Sequence, residues 1–248
     1  VSSWLFIAGA GSTGKSLLSK CLHHHPAIAM CTHESEIALQ MLRMFQHVQG
    51  WDPAPIQWSC GAARFWDTAH LFGYGPDMEV EFPAKDLARA ALHGLTEHLD
   101  PMKHYLGDAS SAYVYCWPLL RDICPGCRFV FVRREVEATI EDWLRKGHGK
   151  SRNDDRAMIR AEIERRNTSA LKCPDATWAS LEGLLATPRE ALTMVLEWLD
   201  LPPDEMNWQG VYAEIGDPSD GYPRAGLAEP DLPDLLPLWR EDAGNVRR

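Results

Sequence analysis

Gly9-Ala10-Gly11-Ser12-Thr13-Gly14-Lys15-Ser16 fits the spacing G-x-x-x-x-G-K-[ST]. That spacing carries a particular chemistry. Its glycines let successive main-chain N–H groups converge on a phosphate, and the helix that follows adds about half a positive charge at its N-terminus. The lysine reaches a further phosphate, and the hydroxyl can hold a metal or a phosphate oxygen. The residues therefore point to a nucleotide or nucleotide-like ligand, without saying which. The alternative is an ordinary glycine turn before a helix. Two other groups stand at the ends of apolar runs, His33-Glu34-Ser35-Glu36 and Arg133-Arg134. Cys124-Pro125-Gly126-Cys127 is a C-x-x-C, but it precedes a strand, where a redox site would follow one and open a helix. His23-His24-His25 are consecutive on a helix end and point in different directions, which is poor geometry for one metal.

The elements around these groups alternate. Trp4 to Ala8 is a short continuous apolar run, expected to be a buried strand, and Leu17, Leu18, Cys21 and Leu22 recur at helical spacing until Pro26. Ala27 to Thr32 reads as a second strand. Ile37, Met41, Leu42, Phe45 and Val48 trace a helical stripe. Residues 50–80 lose the pattern. Trp51, Trp58, Phe65, Trp66, Phe72 and Tyr74 there either line an acceptor pocket or form the core of a small cap. A helix is expected over 82–99, a short strand over 105–108, and a helix through Trp117, Leu120 and Ile123. The clearest later strand is 128–132. It is followed by a helix over 136–146, a basic loop over 147–153, and a helix capped by Asp154 that runs to about Leu171. Thr177 to Leu181 is read as the last strand. Thr187 caps a helix with Pro188 at its first position. From about 202 the chain is rich in Pro, Gly and Asp and reads as a long active-site loop or a poorly ordered tail until Leu235-Leu236, where a last helix is expected to start. Strands alternating with helices imply one α/β domain over 1–248, a three-layer fold with a central parallel sheet and helices on both faces. In such sheets ligands bind beyond the C-terminal strand ends. Residues 9–16, 33–36 and 133–134 are therefore expected on one rim.

Composition narrows the field. The 248 residues are 45% apolar, enough for a sizeable core, and no run is long enough to span a membrane. The net charge of -10 argues against broad nucleic-acid binding, so an anionic ligand must meet a local basic site. Seven scattered cysteines are odd in number and irregular in spacing, which speaks against a disulfide framework and for a reducing cytoplasm. No leader segment is visible before the first strand.

Taken in order, several segments resemble the sulfotransferases that use 3′-phosphoadenosine-5′-phosphosulfate (PAPS). Residues 9–18 resemble that family's phosphosulfate loop, G-x-P-[RK]-S-G-T-[TS]-L-L. His25 to Met30 resembles H-P-x-I-x-x, and Gly107 to Tyr113 resembles G-[DE]-K-[ST]-P-x-Y. Cys124 to Arg134 resembles F-P-x-A-[KR]-F-I-x-x-x-R. Glu182 to Pro188 resembles Y-E-D-L-x-x-x-P, and Trp198 to Pro202 resembles F-L-G-L-P. The resemblance implies a sulfotransferase-like P-loop fold and transfer of a sulfuryl group from PAPS to a hydroxyl or amine of a small acceptor. It implies that Gly11, Ser12, Thr13, Gly14, Lys15, Ser16 and Leu17 wrap the 5′ phosphosulfate and that Arg134, or Arg133 in a register shifted by one, holds the 3′ phosphate. Glu36, with Glu34 and His33 close by, is the implied base; a helix-capping carboxylate is the other reading of Glu36. Lys15 would supply positive charge to the reaction.

Four positions depart from the family pattern. Ser12 stands where the family has Arg or Lys, Lys15 where it has Thr, and Ala109 where it has Lys. Asp142 stands where a serine meets the 3′ phosphate, and a carboxylate beside a dianion is repulsive. Lys15 sits where nucleoside-triphosphate P-loops carry theirs. The second expectation is therefore an ATP- or GTP-dependent small-molecule kinase on the same scaffold, with Ser16 on Mg²⁺ and Asp108 or Glu36 as metal ligand or base. A non-catalytic nucleotide-binding module is a third.

Overall fold

The computed structural model describes residues 3–31, 37–41, 84–97, 102–146 and 156–216. Five strands form one sheet: β1 (Ser3–Gly9), β2 (Ile28–Met30), β3 (Tyr105–Ser110), β4 (Arg128–Arg133) and β5 (Ala176–Ser180). Their order is β2-β3-β1-β4-β5, and every pairing is parallel. Around them lie α1 (Lys15–His23), α2 (Ala84–Glu97), α3 (Tyr113–Ile123), α4 (Val136–Lys146), α5 (Arg156–Leu171), α6 (Leu181–Ala186), α7 (Pro188–Trp198) and α8 (Trp208–Gly216).

The central strand explains the layering. Leu5, Phe6, Ile7 and Ala8 are all fully buried, because a parallel sheet covered on both faces has no solvent side. Alternate side chains enter different cores. Leu5 and Ile7 join Leu17, Leu18 and Leu22 of α1 with Leu192, Val195 and Leu196 of α7. Trp4, Phe6 and Ala8 join Leu92 of α2, Tyr113 and Leu120 of α3, and Phe129 and Phe131 of β4. The second face is aromatic. The Phe6 ring lies 5.0 Å from Tyr113 and 5.4 Å from Phe129, centroid to centroid. A third, smaller cluster joins Ala10 of the glycine loop to Ile140 of α4 and to Ile159 and Ile163 of α5.

Some elements differ from the sequence expectation. β3 runs to Ser110 and pairs along β1 from Ser3 to Ala8. Its Gly-Asp-Ala-Ser sequence hides a strand whose last four residues are buried. β2 is only three residues long. Leu181 opens the short helix α6 instead of closing β5, because the Ser180 hydroxyl accepts the Gly183 N–H at 2.9 Å and caps a helix there. Thr187 sits at the N-cap of α7, but its side chain makes no cap bond; its hydroxyl instead faces the Gly183 carbonyl at 3.5 Å. The chain after Leu201 was expected to be loop. It forms a 3₁₀ turn at Pro203–Glu205 and then α8, whose Val211 and Ile215 are buried in the α1–α7 core. The aromatic residues between 50 and 80, the basic loop over 147–153 and the Asp154 cap lie outside the described residues.

Candidate active site

The connection from β1 returns to β2 on one side, and the connection from β4 continues to β5 on the other. The topological switch point therefore lies beyond the C-terminal ends of β1 and β4, the place where open α/β sheets bind ligands. The glycine loop leaves β1 at that point, and Arg134 follows β4 there.

The loop is sorted by polarity. Its carbonyls are held from outside. Ala10 O accepts from the Thr13 hydroxyl at 2.9 Å and from Lys15 Nζ at 3.0 Å. Gly11 O accepts from the Trp143 indole at 2.7 Å, and Ser12 O accepts from Arg134 Nη1 at 3.1 Å. The N–H groups of Gly11, Ser12, Thr13 and Gly14 donate to no protein acceptor among the described residues. Buried or half-buried main-chain donors need a partner, so this row is a cradle for an anion or for water. Gly14 is left-handed at φ 92°, which turns the chain into α1, and a Cβ there would come within 2.7 Å of Leu181 Cδ1. A Cβ on Gly11 would meet the Trp143 indole nitrogen at 2.7 Å. Ser12 also has a positive φ, 61°. Lys15 is 3% exposed.

Helix α4 closes the loop from above. Its first turn is capped by the Glu135 carboxylate, which accepts the N–H groups of Glu137 and Ala138 at 3.0 and 2.6 Å. The Glu135 N–H is in turn held by Glu182 at 2.9 Å, which fixes the turn just past Arg134. One face of α4 then presents Asp142, Trp143, Arg145 and Lys146. Asp142 is 4% exposed. It pairs with Arg134 at 3.5 Å, with Lys146 at 2.9 Å and with Arg145. Burial alone would raise its pKa, but hydrogen bonds from Lys146, Arg145 and Ser12 hold the carboxyl well below the usual range. Lys146 Nζ also lies 3.3 Å from the Ser12 hydroxyl. Arg134, not the exposed Arg133, turns toward the loop.

Asp108 is fully buried on β3. Its carboxylate accepts the Tyr113 hydroxyl at 2.5 Å, the Ala109 N–H at 2.8 Å and the Ile37 N–H at 3.1 Å. These bonds tie residues 37–41, which are helical, to the rim of β3. Cys31 N–H is likewise bonded to Gly107 O at 2.8 Å. The residues on either side of 32–36 are thus anchored at the same sheet end as the loop. His33, Glu34 and Glu36 themselves lie outside the described residues.

The loop, Arg134 and Asp142 lie together in the structure. Trp143, Arg145 and Lys146 were not anticipated. Asp142 with Arg145 and Lys146 at i+3 and i+4 was a legible helical ion-pair pattern. Nothing in the sequence announced that Trp143 would lie on Gly11. The C-x-x-C lies at the opposite sheet end. Both thiols are buried, and burial pushes Cys127 up to about 12 and Cys124 further still, so neither is a ready nucleophile. His25 is a buried structural residue. Its Nδ1 accepts the Ala27 N–H at 3.1 Å and its Nε2 faces Pro202 O at 3.0 Å.

A glycine loop between strand and helix at the switch point of a parallel sheet defines a P-loop-like α/β fold. The sulfotransferase family model matches residues 5–205, and the chain belongs to that family of transferases. Its fold is similar to the sulfotransferase domain of the olefin synthase of Synechococcus PCC 7002, at 15% identity and TM-score 0.57, covering 95% of this chain and 83% of that one. It is similar also to the sulfotransferase domain of the curacin biosynthetic pathway, at 15% identity and TM-score 0.54, with 82% and 75% covered. A sulfotransferase from Alicyclobacillus acidocaldarius aligns at 13% identity and TM-score 0.51, with 98% and 92% covered. No curated protein sequence matches the chain. No helix among the described residues is long and apolar enough to cross a membrane.

Proposed function

We propose that the protein transfers a sulfuryl group from PAPS to a hydroxyl or amine of a small molecule. The observation that carries this reading is the polarity of the loop. The carbonyls of Ala10, Gly11 and Ser12 are each clamped by a side chain, while the N–H groups of residues 11–14 have no protein acceptor among the described residues. That cradle fits the 5′ phosphosulfate of PAPS, which supplies an activated sulfuryl group when bound.

The chain's own residues have distinct tasks. The loop from Gly11 to Leu17 binds and orients the 5′ end. Lys15, buried beneath the loop, sets a fixed positive charge where negative charge develops on the leaving phosphate. Arg134 is the residue for the 3′ phosphate. Glu36, with Glu34 or His33 as neighbours, takes the proton of the acceptor, because a neutral hydroxyl is a weak nucleophile. The Asp108–Ile37 bond supports this assignment, since it anchors the residue next to Glu36. The aromatic residues of 50–80 suit a hydrophobic or ring-bearing acceptor. A cytoplasmic setting is in keeping with six free cysteines among the described residues.

A kinase using ATP with Mg²⁺ is the second reading, favoured by the lysine at position 15. Against it, the Asp108 carboxylate already serves three internal donors. One thermal-shift plate separates the two. Adenosine 3′,5′-bisphosphate should raise the melting temperature without Mg²⁺, because a ligand that binds only the folded state stabilises it. Stabilisation by ATP with Mg²⁺ and not by the bisphosphate would overturn the sulfotransferase reading. Lys15→Ala should lower turnover of radiolabelled PAPS by roughly a hundredfold or more. A near-normal rate would remove Lys15 from the chemistry.

A further inference from the structure

Beside the cradle lies a second cationic locus, and it already holds an anion of its own. Arg134, Arg145 and Lys146 converge on one carboxylate, that of Asp142. Asp142 is 4% exposed and the Arg134 side chain 8%, so the pair is shielded from solvent. Hydrogen bonding keeps the carboxyl ionised far into the acid range. Its Oδ2 oxygen lies 2.9 Å from Lys146 Nζ and 3.5 Å from Arg134 Nη1. A buried acceptor of this kind favours an incoming hydroxyl donor and opposes an incoming phosphate.

We propose that Asp142 is a specificity-determining residue. As the shielded partner of Arg134, the cation read as the 3′-phosphate residue, it offsets most of that cation's attraction for a 3′ phosphate and adds a repulsion of its own. The donor site then takes adenosine 5′-nucleotides with a free 3′ hydroxyl about as readily as 3′-phosphorylated ones. This inference rests on the reading of the loop as a 5′-phosphosulfate site and of Arg134 as its 3′ partner.

The test is calorimetric binding of adenosine 3′,5′-bisphosphate and adenosine 5′-monophosphate to the full chain and to Asp142→Ser and Asp142→Asn. The wild-type affinities should agree within about threefold, and each variant should favour the bisphosphate by more than about tenfold, the scale of one unscreened charge contact. A wild type that already prefers the bisphosphate by more than about tenfold overturns the inference, as does an unchanged ratio in both variants. The wild-type ratio decides the matter even where a variant fails to fold. Binding of both nucleotides with the wrong ratio sinks this inference alone. Binding of neither, by any of the three proteins, sinks the donor reading with it.

Discussion

At the scale of single residues, the site depends on a few close approaches that admit little change. Trp143 rests on Gly11 because glycine leaves room for the indole, whose N–H then holds the Gly11 carbonyl away from the cradle. Gly11→Ala would push a methyl group into that ring. The expected cost is about 1–3 kcal/mol of stability, typical of overpacking, together with weaker nucleotide binding as the loop shifts. Urea denaturation and nucleotide titration of the same variant check both. Lys15 shows a similar economy. Its long apolar stem is buried while its ammonium group spans the loop to Ala10, so its position is set before any ligand arrives.

At the scale of elements, two helices hold up the site, one expected over 136–146 and one that the sequence pattern did not show. Helix α4 carries Asp142, Trp143, Arg145 and Lys146 over the loop, and its start is fixed by the Glu135 cap and the Glu182 bond. Helix α8 supports the loop from below through α1, with Val211 and Ile215 in the same core as Leu17 and Leu18. Ile215 is 4% exposed. Ile215→Ala should therefore cost about 2–4 kcal/mol through lost burial and a residual cavity. A shift of the urea midpoint with unchanged slope would register it. An effect below half a kcal/mol would mean that α8 does not belong to the folded core.

At the scale of the whole molecule, a net charge of -10 surrounds a locally basic site, and Asp142 links that site to overall stability. Its folded-state pKa lies below the ordinary aspartate value of 3.8. The sign follows from linkage. A depressed pKa contributes stability that is present above the unfolded value and is lost as pH falls toward the folded one. Wild type should therefore exceed Asp142→Asn in stability at pH 7, and the gap should narrow below about pH 4. Denaturation at pH 7, 5 and 3 measures it. A gap that widens on acidification would refute the assignment.

Much of this protein could be read before any fold was known, because the informative signals are local. A buried parallel strand must be a continuous apolar run, as at Trp4 to Ala8 and Phe129 to Val132. A phosphate cradle needs its glycines and lysine within eight residues, as at Gly9 to Ser16. The strand–helix alternation then implied which ends share a rim, and the meeting of Arg134 with Ser12 follows from it. What the chain order left open depends on packing between distant segments. β3 is polar in sequence yet buried, because Asp108 finds Tyr113 and the Ile37 N–H. α8 lies in a Pro- and Gly-rich stretch yet helical, because the α1–α7 core offers a seat for Val211 and Ile215. Asp142 reads from the resemblance as a carboxylate at the 3′-phosphate position, with no partner specified. Only the approach of Arg134 makes it the buried centre of a charge cluster.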